Sequence, residues 1–310
     1  MVDLLTSEDT ATARESVSRV STGRRRSSAQ KARPRKVRPV AVLAPVKALV
    51  TRLTVTSSTT LGRSVLLSLS ALRYLVTDIA RGRLPVAETL NQAWTLLTVT
   101  AFPAVLMAIP FGAVITVQSG GMLHDVGASS MAGAASGLGI VRQGAPMCAG
   151  LLMAGAAASA IASDLGTRAI REEIDAIRVM GVDPVQRLVV PRLLAMVMIA
   201  PVILAMIILV GVGSAFLIAV RLTDVSAGSF WASFGAFATT TDLVFALFKT
   251  LVGAIMVALV ASQRGLEAHG GPRGVADAVN AAVVLSVVLF VFAALILTQL
   301  QTMFFPEQFA

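Results

Sequence analysis

Long apolar runs limit what this chain can fold into more than any other feature of its sequence. Hydrophobic residues make up 55% of the 310 residues, and several uninterrupted runs exceed the roughly 20 residues that a helix needs to cross a bilayer. Soluble domains do not have this composition. The sequence therefore predicts an all-α membrane protein with five transmembrane helices, approximately at Glu88 to Val117, Ile140 to Ser163, Leu188 to Val220, Phe230 to Ala261 and Val275 to Phe305.

A charged island separates the second and third apolar runs, between Ser163 and Arg192. Charged residues are only 14% of the chain, yet the island holds a dense group of them. Three isoleucines fall at helical spacing and so share one face: Ile170, Ile174 and Ile177. The pattern predicts an amphipathic helix at about 166–181 that ends at Gly181 and is followed by a turn at Asp183 and Pro184. An ordinary polar connector between spans is the competing interpretation.

The distribution of basic residues predicts the topology. Residues 1–39 are rich in Arg and Ser without apolar periodicity, so they are expected to form a disordered basic tail that is attracted to anionic lipid. Residues 40–87 have the pattern of an amphipathic helix lying in the membrane interface. Five crossings put the tail and the charged island on one side, which the positive-inside rule assigns to the cytoplasm, and the C-terminus on the extracytoplasmic side. Nucleic-acid binding by the tail is disfavoured because no aromatic residues accompany its charge.

Prolines and small residues give expectations about helix shape and packing. Pro103 and Pro110 in the first span, and Pro191 and Pro201 in the third, predict kinked or broken helices. A stripe of small residues in the second span predicts close approach of another helix, either within the chain or between subunits: Gly150, Ala154, Ala158 and Ala162.

Several kinds of chemistry are excluded by what the sequence lacks. No lysine follows a glycine, so the chain has no P-loop for ATP. His124 and His269 fall in loops on opposite membrane faces and Cys148 is the single cysteine, so no metal site is expected. The same histidines are badly placed for an intramembrane Ser/His/Asp hydrolase.

Ionisable residues inside predicted spans are more informative because each costs at least about 2.5 kcal/mol in hydrocarbon. Asp242 and Lys249 lie two turns apart on roughly one face of the fourth span, and Arg142 lies near the start of the second. They form either a packing ion pair or interface-snorkelling charges, or else a polar lining of a substrate cavity or partner contact. The residues alone leave these alternatives open.

The island resembles the signature of the bacterial MlaE/YrbE permease family. The match is carried by Glu172, Glu173, Asp175, Met180, Gly181, Asp183, Pro184, Pro191 and Arg192, and it extends through the segments TDLVFALFKT (241–250) and GGPRGVADAVN (270–280). The basic N-terminal extension looks most like the YrbE permeases of actinobacteria. Two departures from the family pattern are Gln143, where Glu often follows the Arg, and the segment Gly155 to Ala158, where a GRAG-like sequence is common.

The resemblance implies a non-catalytic transmembrane subunit of an ATP-driven lipid transporter in the bacterial cytoplasmic membrane. ATP and Mg²⁺ would be bound by a separate ABC ATPase dimer, a second and paralogous YrbE-type permease would complete a heterodimer, and an MCE-domain protein hexamer would exchange lipid on the outer face. The island then corresponds to the coupling helix that docks on the ATPase. The candidate contacts are Arg168, Arg171, Glu172, Glu173, Asp175 and Arg178.

Two alternatives from other classes remain at the level of sequence. An ion-coupled secondary carrier would use Asp242 and Lys249 without any ATPase, and it leaves the charged island unexplained. A scaffold that only anchors MCE proteins would tolerate substitutions in the island.

Overall fold

The structure, a computed structural model, describes residues 86–222 and 225–304, together with scattered residues between 67 and 77. Five of its helices are long and apolar enough to cross a membrane, and the described residues contain no β-strand. The predicted class, an all-α membrane protein with five spans, is confirmed. The predicted basic tail and most of the predicted interfacial helix lie outside the described residues.

Seven helical elements follow one another between residues 86 and 304. Two of them are short, α3 between the second and third spans and α5 between the third and fourth. In chain order the elements are α1 (Val86–Asp125), α2 (Ser129–Ile170), α3 (Glu173–Val179), α4 (Val185–Leu222), α5 (Ala227–Phe237), α6 (Thr240–Leu266) and α7 (Pro272–Phe304).

The second span begins at Ser129, well before the predicted Ile140. Residues 129–139 are mostly Gly, Ala and Ser, so they carry no strong hydropathy signal. They become helical because small residues let them pack tightly: a Cβ on Gly133 would lie 2.0 Å from the carbonyl oxygen of Phe230 in α5. Phe230 is fully buried there, with its ring 5.4 Å from that of Phe216 in α4. The first turns of α2 therefore pack together with α5 and with the C-terminal end of α4.

The predicted fourth span, Phe230 to Ala261, is wrong at its start because it merges two helices. α5 begins after Ser226, whose Oγ accepts a hydrogen bond from Ser229 N, and ends at Phe237. A new helix then starts with a capping box, in which Thr239 Oγ1 accepts from Asp242 N and the Asp242 carboxylate accepts from the Thr239 backbone N–H. Reciprocal capping of this kind starts a helix. Because the apolar run continues across the break between α5 and α6, hydropathy did not reveal the break.

Pro103, Pro110 and Pro201 do not break the first and third spans, so that part of the prediction is wrong, and the predicted kinks stay a prediction. α1 runs as one helix through Pro103 and Pro110. Wider π-helical turns lie just before two prolines, at Leu138–Gly144 ahead of Pro146 in the second span and at Val185–Val189 ahead of Pro191 in the third. Proline has no N–H for the residue four positions earlier, and a π turn accommodates that loss without ending the helix.

The small-residue stripe of α2 packs inside the chain, so the prediction of close helix approach is confirmed. All four residues of the stripe, from Gly150 to Ala162 at intervals of four, are buried. The ring of Phe290 in α7 fills the space above Gly150, where a Cβ would lie only 1.8 Å from its Cζ atom. Gly253 of α6 borders the same ring, and a Cβ added there would lie 2.6 Å from Cε2. Two glycines on two helices thus form a notch for one aromatic side chain of a third.

Candidate functional site

The charged island does not form the single helix that its isoleucine pattern predicts. α2 continues through Arg168 to Ile170, the backbone turns at Arg171, and Glu172 adopts a left-handed conformation with φ 61° before α3 begins at Glu173. Glu172 is the one non-glycine residue with positive φ in the described part of the chain. Such a conformation costs roughly 1–2 kcal/mol for a residue with a Cβ. This break in the helix allows α3 to run in a different direction from α2.

α3 is held against the end of the helix bundle by its apolar face. Ile174 is buried and Ile177 is half-buried against the core, as their spacing predicts. The helix ends where Gly181 takes φ 76°, with hydrogen bonds from Gly181 N to Arg178 O and from Val182 N to Ile177 O. A glycine in this conformation satisfies the last carbonyl groups of a helix.

The turn after α3 is closed by Asp183, whose Oδ1 accepts a hydrogen bond of 2.8 Å from Val185 N. Pro184 follows with a helical backbone and directly precedes α4. The predicted turn therefore serves as the N-terminal cap of the third span, because an Asp side chain can satisfy a free N–H at a helix start.

Ion pairs engage five of the six candidate contact residues of the island, all except Glu172. Arg168 Nε lies 3.3 Å from Asp164 Oδ1, and Arg168 Nη1 lies 3.9 Å from Glu173 Oε2, so Arg168 bridges the break between α2 and α3. Arg178 and Asp175 form a separate pair at 2.9 Å. Arg171 joins the first set through Glu173 at 4.0 Å, and Arg192 joins it through Asp164. The last pair ties the start of α4 to α2, and Arg192 is buried.

Apolar side chains at the tip of the island project outward. Val179 is 89% exposed, Met180 is 70% exposed, and Val182 follows them at 42%. These residues lie outside the five helices that are long and apolar enough to cross a membrane. A group of exposed apolar residues in water, rimmed by charge, is typical of a protein interaction site.

A second polar region lies within the spans and joins α2 to α6. Arg142 Nε is 2.9 Å from Asp242 Oδ1, and the side chain of Asp242 is nearly inaccessible. Asp242 is therefore both an ion-pair partner and the capping residue of α6, rather than a residue in mid-helix as predicted. The π turn at Leu138–Gly144 carries Arg142. Gln143 points to another helix, since its Oε1 accepts a hydrogen bond of 3.3 Å from Thr298 Oγ1 in α7.

Lys249 shares the buried setting of this pair, although it lies two turns deeper in α6. Its Nζ atom has no hydrogen-bond partner among the described residues, and its side chain is buried. Arg142, Asp242 and Lys249 together carry one net positive charge. A buried charge of this kind is costly unless it is paired.

Metal binding has no support in the described ranges, where no group of three His, Cys, Asp or Glu side chains could hold an ion. Sequence reasoning missed the role of Asp164, which joins two helices through Arg168 and Arg192. The spacing of Asp164 and Arg168 by four residues was a visible signal for one pair. The contact with Arg192, 28 positions away, had no signal in the sequence.

Comparison with known proteins gives the family. The model of the MlaE permeases matches residues 89–300, which include nearly all of α1 and every element up to α7. This chain belongs to the MlaE permease family. The resemblance based on the island is confirmed, and the matched region contains the island, the intramembrane ion pair and the notch around Phe290.

Relatives in the family come from distant organisms. A probable ABC transporter permease of Synechocystis is 29% identical over 208 residues, covering 67% of this chain and 79% of the relative. The chloroplastic protein TRIGALACTOSYLDIACYLGLYCEROL 1 of Arabidopsis thaliana is 26% identical over 72% of this chain and 64% of its own length. The intermembrane phospholipid transport system permease MlaE of Haemophilus influenzae is 27% identical over 58% of this chain and 69% of its own length.

Proposed function

We propose that this MlaE-family permease is the membrane subunit of an ATP-driven transporter that moves lipid between the bacterial cytoplasmic membrane and MCE-domain proteins. The chain has no catalytic role of its own in this proposal. Its N-terminus and α3 lie in the cytoplasm and its C-terminus lies outside, in keeping with the predominance of basic residues on the α3 side.

The observation that carries the proposal is the island, a charged element outside the spans with an exposed apolar tip. Val179 and Met180 would be unfavourably hydrated in isolation, so a partner protein that covers them gains apolar burial. The chain has no P-loop, which means that ATP must be bound elsewhere. The names of the relatives from Synechocystis and Haemophilus, an ABC permease and a phospholipid transport permease, support an ATPase as that partner and lipid as the cargo.

The proposed assembly contains further chains. An ABC ATPase dimer binds ATP and Mg²⁺ and contacts α3, a second permease of the YrbE type completes the membrane part, and an MCE hexamer receives or delivers lipid. The charged contacts proposed for the ATPase are those with exposed side chains beside the tip: Arg171, Glu172, Asp175 and Arg178. Arg168 and Glu173 hold α3 to α2 and so orient these contacts.

The test uses the complex purified in mild detergent from its native host. Replacing Val179 and Met180 by Asp places two charges at the centre of the proposed contact. We expect loss of the co-purifying ATPase and of lipid-stimulated ATP hydrolysis, because burying an unpaired charge in an interface costs several kcal/mol. The double charge reversal Glu172→Lys with Asp175→Lys should have the same effect.

The matched control is Val126→Asp, which puts a charge on a similarly exposed apolar residue at the opposite end of the bundle. It should retain the ATPase. Retention of the ATPase and of stimulated hydrolysis by both island variants would exclude α3 as the coupling element.

The ion-coupled carrier makes the opposite prediction, namely transport that follows an ion gradient and survives ATP depletion. It requires Asp242 to exchange ions, whereas that carboxylate is engaged by Arg142 and by the cap of α6. The scaffold alternative predicts normal transport by the island variants. Lipid transfer measured in vesicles with and without ATP separates all three functions.

A further inference from the structure

A pocket of about 300 Å³ lies at the end of the bundle where α3 meets the loop that joins α6 to α7. Glu172, Asp175 and Arg178 line the pocket on the α3 side, and residues 268–271 line it on the loop side. Two segments that are far apart in sequence therefore form one concave surface. This surface lies beside the proposed ATPase contact, but it includes a loop that the contact does not.

The charged groups of the pocket leave one carboxylate without a partner. Arg178 Nη1 lies 2.9 Å from Asp175 Oδ1, so these two charges compensate each other. Glu172 forms no ion pair with any residue that the structure describes, and the neighbouring Arg171 pairs with Glu173 instead. Two carboxylates and one guanidinium group sum to one negative charge in the lining.

His269 adds a hydrogen-bond acceptor to the loop side of the pocket. Its Nδ1 atom donates a hydrogen bond to the carbonyl oxygen of Glu267 in the same loop. In a neutral imidazole the other ring nitrogen, Nε2, is then an acceptor. The next two residues, Gly270 and Gly271, carry no side chain that could fill the pocket. The carboxylate of Glu172 and this imidazole therefore both favour a ligand that donates hydrogen bonds.

Apolar side chains form the remaining wall of the pocket: Ile170, Ile174 and Leu266. A long basic side chain fits such a pocket, because its methylene stem packs on apolar surface while its charged head reaches polar groups. Lysine and arginine donate hydrogen bonds and accept none, and arginine is enriched among the residues that dominate protein interfaces. The volume is about ten times the roughly 30 Å³ of a water molecule, which is enough for one such side chain.

We propose that this pocket receives a basic side chain, arginine or lysine, of the ATPase that contacts α3. Glu172 binds the charged head, His269 accepts a further hydrogen bond, and the apolar wall contacts the stem. The loop between α6 and α7 thereby becomes part of the ATPase contact, so that movement of the ATPase acts on α6 and α7 as well as on α2 and α4. The inference rests on the proposed function, because the partner is taken from it.

The experiment measures how strongly the ATPase binds in the complex purified in mild detergent. The complex is diluted in steps, and the fraction of ATPase that stays bound gives the dissociation constant. Glu172→Gln removes the charge and keeps the size of the side chain. It should raise the dissociation constant roughly tenfold, the equivalent of one charge-assisted hydrogen bond.

Glu172→Gly separates binding from folding. Glycine removes the carboxylate and also the Cβ that makes the left-handed backbone of this residue unfavourable. The variant should therefore bind the ATPase roughly tenfold more weakly, yet resist unfolding at least as well as the wild type. A residue with a purely structural role would not give opposite effects in the two assays.

His269 tests the sign of the partner's charge, because it is exposed and tolerates substitution. His269→Lys places a positive charge in the pocket and should weaken ATPase binding at least tenfold, whereas His269→Glu adds a carboxylate and should strengthen it. Asp277→Asn is the matched control for Glu172→Gln, since it removes an exposed carboxylate of α7 outside the pocket lining. It should bind the ATPase as the wild type does.

Wild-type affinity of both Glu172→Gln and Glu172→Gly would overturn the inference. If the variant with Val179→Asp and Met180→Asp still loses the ATPase in that case, the proposed function stands without it. Stronger binding by His269→Lys and weaker binding by His269→Glu would assign the pocket to an acidic side chain instead. A wild-type complex that contains no ATPase would overturn the proposed function and this inference together.

Discussion

The notch that receives Phe290 allows a sharp test of how the bundle is held together. Replacing Gly150 by Ala puts a methyl group 1.8 Å from the Cζ atom of the ring, and within 2.3 Å of Cε1 and Cε2. Carbon atoms prefer separations of about 3.5–4.0 Å, so the ring has to retreat by roughly 2 Å. Gly253 also borders the ring so closely that a Cβ added there would lie 2.6 Å from Cε2, which leaves little room for that movement.

The expected cost combines two opposing effects. Overpacking of a filled core typically costs about 1–3 kcal/mol, and the tight notch favours the upper end. Replacing a helical glycine by alanine recovers up to about 1 kcal/mol through helix propensity. We therefore expect Gly150→Ala to lower the free energy of unfolding by about 1–2 kcal/mol, as measured by reversible unfolding in mixed micelles.

Gly155 supplies the control on the same span. A Cβ added at this residue would meet nothing within 4 Å, so Gly155→Ala should keep or slightly raise stability. Combining Gly150→Ala with Phe290→Leu removes the ring that clashes, and the double variant should be less destabilised than the sum of the single changes. Equal stability of Gly150→Ala and Gly155→Ala would refute the argument that the notch is full.

Two further predictions concern buried charge and backbone strain. Arg142→Gln should lower the free energy of unfolding by about 3–5 kcal/mol because it leaves the buried Asp242 carboxylate unpaired. Adding Asp242→Asn, which keeps a side-chain acceptor for the cap of α6, should restore most of that loss, and additive effects in the same unfolding assay would contradict an ion pair. Glu172→Gly should raise the free energy of unfolding by up to about 1 kcal/mol, because glycine adopts the left-handed conformation without a Cβ penalty. Glu172→Ala lacks that benefit, so a Gly variant less stable than the Ala variant would argue against strain.

Hydropathy predicted the number of spans and their approximate centres, because a helix that crosses lipid has to be apolar along most of its length. It failed at helix ends that depend on packing or capping. The start of α2 is helical because small residues approach α5, and the start of α6 depends on the hydrogen bonds between Thr239 and Asp242. The T-x-x-D spacing at that point was readable as a capping box, but the surrounding apolar run obscured it.

The parts of the candidate site that depend on local sequence patterns were predictable. Periodicity identified the buried face of α3 through Ile174 and Ile177, and composition identified Gly181 as its end. The break at Glu172 was not predictable, because glutamate favours helix and the isoleucine spacing continues across it. The pairing of Arg192 with Asp164 was also hidden, since contacts between distant helices depend on how the whole bundle packs.

The π turn at Leu138–Gly144 has a consequence for comparing this chain with its relatives. A π turn holds one residue more than an α-helical turn, and one residue corresponds to about 100° of rotation around a helix. Deleting a single residue there would restore ordinary helix and rotate everything that follows, so that Gly150 would no longer face Phe290. A one-residue gap at this place in an alignment would therefore mark a change in which side of α2 faces its neighbours.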